Sequence, residues 1–311
     1  MTLKSTTALV CAGVVLAACG SSGGSGVGGG GTTTVSASDP ANAFFAPNFR
    51  DPGETEFDAL EEGLVYYIGA TDGTVSEFLV KIDRSGTEDR LIVRQNGGPE
   101  VVYEPLSEFD NGDEFSTVWV VNNGQPDERQ FQVIVDRDAD PSDSVGIFRI
   151  NFPAESIGPQ NFGRGGLETQ VANLPPTTAT YSGSFNADRL DFEPDPAGAP
   201  GQLKAIGVEA LSTSTNDTVV NFATGTITGN HAGTSFLGAS NEAINGQITG
   251  TVVGTRAGGT LSINGGATGE LEFGGLFTGA TANNLVGGVG GSVQQGGEDF
   301  TVGGDFRLGK Q

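Results

Sequence analysis

The chain has 311 residues, of which 38 are acidic and 15 are basic, so its formal net charge is −23. A charge of this sign excludes nucleic acids and anionic lipid surfaces as expected partners, because both repel an acidic protein. The two cysteines stand at positions 11 and 19. The chain after them has no disulfide to form and depends on a hydrophobic core.

The first 18 residues have the organisation of a secretory signal peptide. Lys4 supplies a positive charge, and an apolar run at residues 8–18 follows it. The run is too short to cross a bilayer, which takes about 20 apolar residues. The segment Leu16–Cys19, with the sequence LAAC, resembles the lipobox of bacterial lipoproteins, in which the cysteine becomes the first mature residue and is acylated. The alternative is an ordinary signal peptide with a cysteine there by chance.

We predict a lipid anchor at Cys19, followed by a flexible tether over residues 19–40, where glycine and serine dominate. Stable anchoring takes more than one acyl chain. By resemblance to bacterial sorting rules, Gly20 after the cysteine implies the outer membrane, with the protein on its periplasmic or its exterior side. The lipid is the only expected contact with the membrane, and we expect a monomer.

Residues 41–170 form the first predicted domain, a small antiparallel β unit. Polar and apolar residues alternate with a period of two, as at Phe131, Val133 and Val135, which is typical of strands that bury one face. Turn sequences such as NGG at 96–98 separate the strands. The pattern predicts six or seven strands between about residues 60 and 155, folded as a sheet or a sandwich.

Residues 171–311 form the second predicted domain, after a proteolytic or flexible boundary within about residues 153–178. Acidic and aromatic residues concentrate before this point, and glycine and threonine dominate after it. Segments 201–211 and 234–244 have an ambiguous pattern, and the second of them can hold a short helix. Eight strands are predicted near residues 178–186, 203–212, 218–228, 244–254, 259–263, 267–277, 286–294 and 299–308.

Eight antiparallel strands can close into a barrel, and closure removes the exposed edges that promote aggregation. In the last segment, apolar residues such as Val302 and Phe306 alternate with polar ones such as Asp305, which we expect on the solvent face. We expect this segment to pair with residues 178–186. The predicted class is all-β: a C-terminal eight-stranded antiparallel barrel preceded by a smaller antiparallel β domain.

The segment GELEFGGLFTGATANNLVGGVGG at residues 269–291 resembles the C-terminal barrel of transferrin-binding protein B-like surface lipoproteins, the group that includes factor H-binding protein. In that family a strand ends in a Gly-x-Phe-Tyr-Gly-Pro-x-Ala turn, and a Glu-Glu-Leu-Gly-Gly-x-Phe stretch follows. TATYSGSF at 178–185 and VNFATGTITG at 220–229 also look like its barrel strands. The resemblance covers about residues 171–311. The shared motif residues are Gly275, Phe277, Gly279, Ala282, Leu285 and Gly287.

The same segment departs from the family pattern at five positions. Thr278 replaces a tyrosine, Ala280 a proline, Asn283 and Asn284 two glutamates, and Val289 a phenylalanine. The motif therefore implies a structural role, in which glycines permit a tight turn and two apolar side chains close the barrel end. It does not imply binding of transferrin or factor H, whose contact surfaces lie in variable loops without a match here.

The anchor, tether and barrel motif together imply a non-catalytic surface lipoprotein that binds a protein or a small solute through loops of its β domains. One alternative is a structural or assembly lipoprotein without a dedicated ligand, and another is a secreted hydrolase that uses carboxylates. The carboxylate pairs are better explained as solvated charges, and no cofactor is expected. These pairs are Glu61 with Glu62, Asp113 with Glu114, and Glu270 with Glu272.

A run of alternating carboxylates is the strongest candidate for metal binding, because such runs bind calcium in some loops. An EF-hand loop also needs a glycine at its sixth position and a glutamate at its twelfth, and here Pro141 and Ile147 stand there. The sequence therefore favours a turn between strands at 129–135 and 145–150. The carboxylates are Asp136, Asp138, Asp140 and Asp143.

His231 is the only histidine, and its polar segment TGNHAG predicts an exposed loop. One histidine does not make a zinc site, and no nucleophile motif accompanies it. Haem binding is an alternative, because related barrels include haem binders and histidine and tyrosine are haem ligands. Trp119 lies in a predicted strand and is expected in the core. The candidate tyrosines are Tyr66, Tyr67, Tyr103 and Tyr181.

Overall fold

The computed structural model describes residues 64–83, 85–110, 114–125, 129–136, 146–151, 161–166, 168–194, 201 and 203–311. These residues form two antiparallel barrels that follow each other along the chain. A connection with a short 3-10 helix at Val171–Asn173 joins them. The predicted all-β class is confirmed.

The first barrel closes because its eighth strand returns to its first. Tyr67 of β1 lies opposite Arg164 of β8. The prediction of six or seven strands between about residues 60 and 155 is confirmed, because seven lie there. An eighth strand follows at residues 161–166, and the eight close into one barrel rather than a sheet or a sandwich. The strands are β1 (Leu64–Ala70), β2 (Val75–Asp83), β3 (Arg90–Gln95), β4 (Glu100–Asp110), β5 (Glu114–Val121), β6 (Arg129–Asp136), β7 (Gly146–Asn151) and β8 (Asn161–Gly166).

The second barrel has eight strands, which is the number that the sequence predicts, and it closes as expected. Phe306 of the last strand lies opposite Phe185 of the first, so the predicted pairing of these strands is confirmed. The strands are β9 (Thr178–Pro194), β10 (Leu203–Asn221), β11 (Thr226–Ser235), β12 (Glu242–Val253), β13 (Arg256–Gly265), β14 (Thr268–Thr278), β15 (Asn284–Gln295) and β16 (Glu298–Lys310).

One local prediction in the second barrel was wrong. Strand β10 runs without a break from Leu203 to Asn221, where two separate strands at 203–212 and 218–228 were expected. A β-bulge between Ser214 and Val219 lies where the prediction separated these two strands. The end of β11, a bend and the start of β12 occupy residues 234–244, which were compatible with a short helix.

Aromatic rings fill the interior of both barrels. In the second barrel, the rings of Phe185 and Phe306 stack with centroids 4.9 Å apart, and Phe273 meets Phe306 edge-on at 5.7 Å. In the first barrel, Phe131 packs against Tyr103 at 5.7 Å. A barrel of eight strands is just wide enough for such side chains to fill.

Strand β1 lies between the two barrels and is buried along its whole length. One face of β1 belongs to the core of the first barrel. The other face packs against the wall of the second barrel, so both of its faces are apolar, which is typical of a strand that is covered on both sides. The cluster at this junction consists of Val65, Tyr67, Val75, Leu79, Leu276 and Val286.

Glycines bring the backbones of the two barrels into contact. A Cβ atom on Gly303 would lie 1.8 Å from the carbonyl oxygen of Ala70. A Cβ atom on Gly69 would lie 1.9 Å from the carbonyl oxygen of Val289, and one on Gly288 would lie 2.5 Å from the nitrogen of Gly69. Glycines of β1, β15 and β16 therefore permit the close contact between the barrels.

Candidate functional site

A buried ion network crosses the junction of the barrels. Arg256, at the start of β13, donates from Nη1 to Oε2 of Glu77 on β2 at 2.7 Å. Its Nε and Nη2 donate to the two carboxylate oxygens of Glu168 at 2.7 and 3.0 Å. The Arg256 side chain is 1% exposed and the two glutamates are at most 3% exposed. Removing one partner of such a pair costs about 3–5 kcal/mol, so the network ties both barrels and their connection together.

Tyr67 of β1 extends this network. Its hydroxyl donates to Oε2 of Glu77 at 2.6 Å. Burial raises the pKa of Tyr67 far above its ordinary value, so the phenol stays protonated and acts as a donor. The network therefore joins three strands and the connection after β8 through four side chains.

A second ion pair crosses the junction, between Arg164 of β8 and Asp305 of β16. The Asp305 side chain is 14% exposed, and its burial raises the pKa of its carboxyl group. The expectation that Asp305 faces solvent was wrong. The predicted alternation of β16 is correct, because Val302 and Phe306 are buried in the barrel, but around Gly303 and Asp305 the strand lies against the first barrel.

The glycine-led motif forms the connection between β14 and β15. Gly279 has a φ of 84° and Ala282 a φ of 56°, a left-handed conformation that is uncommon for alanine. The carbonyl of Ala282 accepts from the Tyr181 hydroxyl at 2.7 Å, and the carbonyl of Gly279 accepts from the Thr169 hydroxyl at 2.7 Å. These bonds fix the turn to the barrel end and to the connection between the barrels.

A groove of about 290 Å³ lies on the outer wall of the second barrel, at the bulge in β10. The carboxylate of Asp217 there accepts from the backbone nitrogen of Asn230 at 3.1 Å and from its Nδ2 at 3.0 Å. These hydrogen bonds lower the pKa of Asp217, so its carboxylate is ionised at neutral pH. The exposed side chains in the lining are Asp217, Val219, Thr228, Asn230, Gln247 and Thr249.

His231 does not lie in an exposed loop, as its sequence predicted. It is 3% exposed and lies within β11. Its Nε2 lies 2.8 Å from the carbonyl oxygen of Ser262, which can only accept, so Nε2 carries the proton. Nδ1 is buried and has no hydrogen-bond partner in the described part of the chain. Burial lowers the pKa of His231, so the ring is neutral at pH 7.

The tyrosines considered as haem ligands are all buried. The hydroxyl groups of Tyr67 and Tyr181 bind Glu77 and Ala282, as described above. Tyr66 and Tyr103 belong to the core of the first barrel, as does Trp119, whose predicted core position is confirmed. Tyr66, Tyr67 and Tyr103 belong to the first barrel and His231 to the second. Tyr181 lies in the same barrel as His231, but its hydroxyl is bound to the carbonyl of Ala282 at the turn after β14.

Several predicted sites lie outside the described residues. Cys19 and its tether do so, as do Glu61, Glu62 and Asp113 and the aspartates from Asp138 to Asp143. Asp136 ends strand β6, and its side chain is not described. Glu270 and Glu272 lie on the outward face of β14. Among the described residues, no group of three or more histidine, cysteine, aspartate or glutamate side chains is placed to hold a metal ion.

One sequence signal for the junction network is the isolation of Arg256 from other basic residues. Arg256 is the single basic residue between Lys204 and Arg307. A lone arginine among small and apolar residues is a candidate for a buried ion pair, because a buried charge needs a partner. Its partners, Glu77 and Glu168, are far away in the sequence and carry no local signal.

No protein-family model matches the chain, and no curated protein matches it. Among solved structures, it is similar to a single mutant of Transferrin Binding Protein B from Haemophilus parasuis, with a TM-score of 0.39 and 14% identity over 80% of this chain and 45% of that chain. It is also similar to a double mutant of the same protein, with a TM-score of 0.39 and 15% identity over 79% of this chain and 45% of that chain. For the structure of intact Ap-TbpB (N and C lobes), the TM-score is 0.33 and the identity is 11%, over 80% of this chain and 77% of that chain.

The chain thus spans about half the length of these two Haemophilus parasuis chains. These three structures carry the name of the family that the motif at residues 269–291 resembles, and membership of that family stays a prediction. Within the described residues, none of the helices is long and apolar enough to span a membrane.

Proposed function

We propose that this protein is a lipid-anchored outer-membrane protein without catalytic activity, and that its two-barrel body binds a partner on its outer surface. The observation that carries the proposal is the rigid junction between the two barrels. Arg256, Glu77 and Glu168 form a buried ion network between the barrels, and glycine contacts bring their backbones together. A body of this kind presents fixed surfaces and loops.

Rigidity favours binding because less conformational freedom is lost when a partner docks. The barrel interiors favour an outer surface over an inner cavity, because aromatic rings such as Phe185, Phe273 and Phe306 occupy the centre of the second barrel. A partner is then expected on the walls or at the strand ends. The net charge of −23 favours a neutral or basic partner.

The proposed anchor is Cys19. Two or more acyl chains at this cysteine would hold the protein at the membrane, since each buried CH₂ contributes about 0.8 kcal/mol. The Gly/Ser-rich residues that follow would let the body stand away from the lipid surface.

Membrane fractionation tests the anchor, and the chain offers a matched control. Cys19→Ala should move the protein to the soluble fraction, whereas Cys11→Ala, in the same signal segment, should leave it in the membrane fraction. Intact mass of the wild-type protein should show an acylated cysteine at the N-terminus. A Cys19→Ala protein that still sediments with membranes, together with an unmodified wild-type mass, would contradict the anchor.

Partner binding is tested with the soluble Cys19→Ala body. It is immobilised, exposed to spent growth medium, and any retained component is titrated back in purified form. Saturable binding by a purified component supports the proposal. Absence of any saturable component would favour the structural or assembly role, and turnover of a substrate would favour the hydrolase alternative.

A further inference from the structure

The groove at the bulge of β10 is built from polar groups whose positions are fixed. The register of β10 shifts by one residue between Ser214 and Val219 relative to β11. Bulges of this kind re-aim side chains and are frequent beside binding sites. Here the bulge brings Asp217 against Asn230, whose backbone and side-chain nitrogens both donate to its carboxylate.

Two threonines continue this polar surface. Thr228 of β11 and Thr249 of β12 are directly opposite each other, and both are exposed. The hydroxyl of Thr249 lies 3.2 Å from that of Thr260, which restricts its rotation. Gln247 adds an amide beside them, and Val219 adds an apolar patch that is 37% exposed.

The charge of the lining limits which ligands fit. Asp217 is its one charged residue, so an anion would meet a carboxylate and no cation. The Oδ1 atom of that carboxylate already accepts from the backbone nitrogen of Asn230 and from the Thr215 hydroxyl, whereas Oδ2 accepts from Asn230 Nδ2 and retains a lone pair for a further donor. Hydroxyl groups suit this set because each can donate to the carboxylate and accept from an amide.

We propose that this groove binds a single ring of a neutral saccharide. Vicinal hydroxyl groups of the sugar would form hydrogen bonds with Asp217, Asn230 and Gln247, and its C–H face would pack against Val219. A groove of about 290 Å³ is at the small end of ligand sites, which suits one sugar ring. The inference names a ligand class for the binding role proposed above and rests on it.

In the test, the Cys19→Ala body is titrated with glucose, galactose, mannose and N-acetylglucosamine. Chemical shifts of its backbone amides are measured by NMR at each sugar concentration. At least one sugar should shift the amides of residues 228–230 and 247–249 in a saturable manner. Ethylamine and acetate are titrated as cationic and anionic probes. If none of the sugars gives saturable shifts, the proposal is overturned. Saturable shifts with ethylamine alone would show that the groove binds cations instead.

Matched double variants keep the test independent of folding. Replacing both Thr228 and Thr249 by valine keeps β-branched residues in both strands and removes two hydroxyls from the groove. Sugar affinity should fall at least fivefold. Replacing Thr226 and Thr251 by valine changes the adjacent cross-strand pair on the same face, outside the groove, and should leave affinity unchanged.

Asp217→Asn should reduce sugar affinity at least tenfold, since a charge-assisted hydrogen bond is lost. Equal effects of the two valine pairs, or wild-type affinity in Asp217→Asn, would show that the sugar binds elsewhere and would overturn the assignment of this groove. Failure here leaves the fractionation of Cys19→Ala and capture of other partners unaffected, so it is distinguishable from failure of the proposed function.

Discussion

Gly303 of the second barrel lies directly against Ala70 of the first, with so little space that a Cβ atom on Gly303 would come within 1.8 Å of the Ala70 carbonyl oxygen. Backbone atoms such as this carbonyl oxygen cannot move aside to make room for a methyl group, as the end of a flexible side chain can. The two barrels therefore meet through their main chains, and the identity of a few glycines decides how closely they approach.

Gly303→Ala should destabilise the protein, because the added methyl group forces the barrels apart. Overpacking of this kind costs about 1–3 kcal/mol. Thermal melting by circular dichroism measures the effect. Gly258→Ala is the matched control, since its Cβ would meet only the carbonyl oxygen of Phe273 at 3.6 Å, an ordinary contact. Equal melting temperatures for the two variants would argue against a close backbone contact.

Arg256→Leu should be strongly destabilising, because it leaves the carboxylates of Glu77 and Glu168 buried without their cation. The expected loss is about 3–5 kcal/mol, which corresponds to a fall in melting temperature of roughly 6–20 °C for a chain of this size. Arg307→Leu changes an exposed arginine of β16 and should lie close to wild type. If Arg256→Leu melts like Arg307→Leu, the network contributes little to the junction.

Phe306→Ala tests closure of the second barrel. Phe306 is 1% exposed and stacks on Phe185, so truncation should cost about 3–5 kcal/mol and lower solubility. Asp305→Ala removes the ion pair to Arg164 and should lower the melting temperature by a smaller amount, because that pair is only partly buried. Wild-type melting of Phe306→Ala would mean that β16 is peripheral.

His231 predicts a dependence of stability on pH. Its pKa in the folded protein is lowered below the ordinary value of 6.5 by burial. Between the two pKa values, the unfolded chain therefore binds a proton at His231 that the folded chain does not bind. The contribution of the neutral ring to stability is fully present above pH 6.5 and is lost as the pH falls toward the pKa of the folded protein. His231→Gln should lack this loss. Parallel melting temperatures of both proteins from pH 7.5 to 5 would contradict a buried neutral imidazole.

The strand pattern of the second barrel was predictable because each strand buries one face and wets the other, as Val302 and Phe306 show in β16. Prediction failed where tertiary contacts change that rule. Asp305 occupies the outward face, but the first barrel covers that face at Asp305, and no local signal distinguishes a covered position from a solvated one. His231 has polar neighbours in the sequence, yet its strand parity turns it inward.

The junction and the groove were harder to predict for the same reason. Arg256 meets Glu77 across 179 positions of the chain, and Asp217 meets Asn230 only because a bulge shifts the register of β10. The division of the chain after residue 170 stays a prediction. Since residues 171–311 alone would expose Leu276, Val286 and Arg256, we expect that fragment to fold with a lower melting temperature than the full body.

A distance measurement between the barrels tests most directly whether the body is rigid. The chain after Cys19 has no cysteine, so spin labels can be placed at two chosen sites in the Cys19→Ala, Cys11→Ala background. Glu88→Cys and Thr224→Cys put one label on an exposed position of each barrel. Pulsed electron paramagnetic resonance should give a single narrow distance distribution, which Arg256→Leu broadens. A broad or multimodal distribution in the unaltered junction would contradict the account.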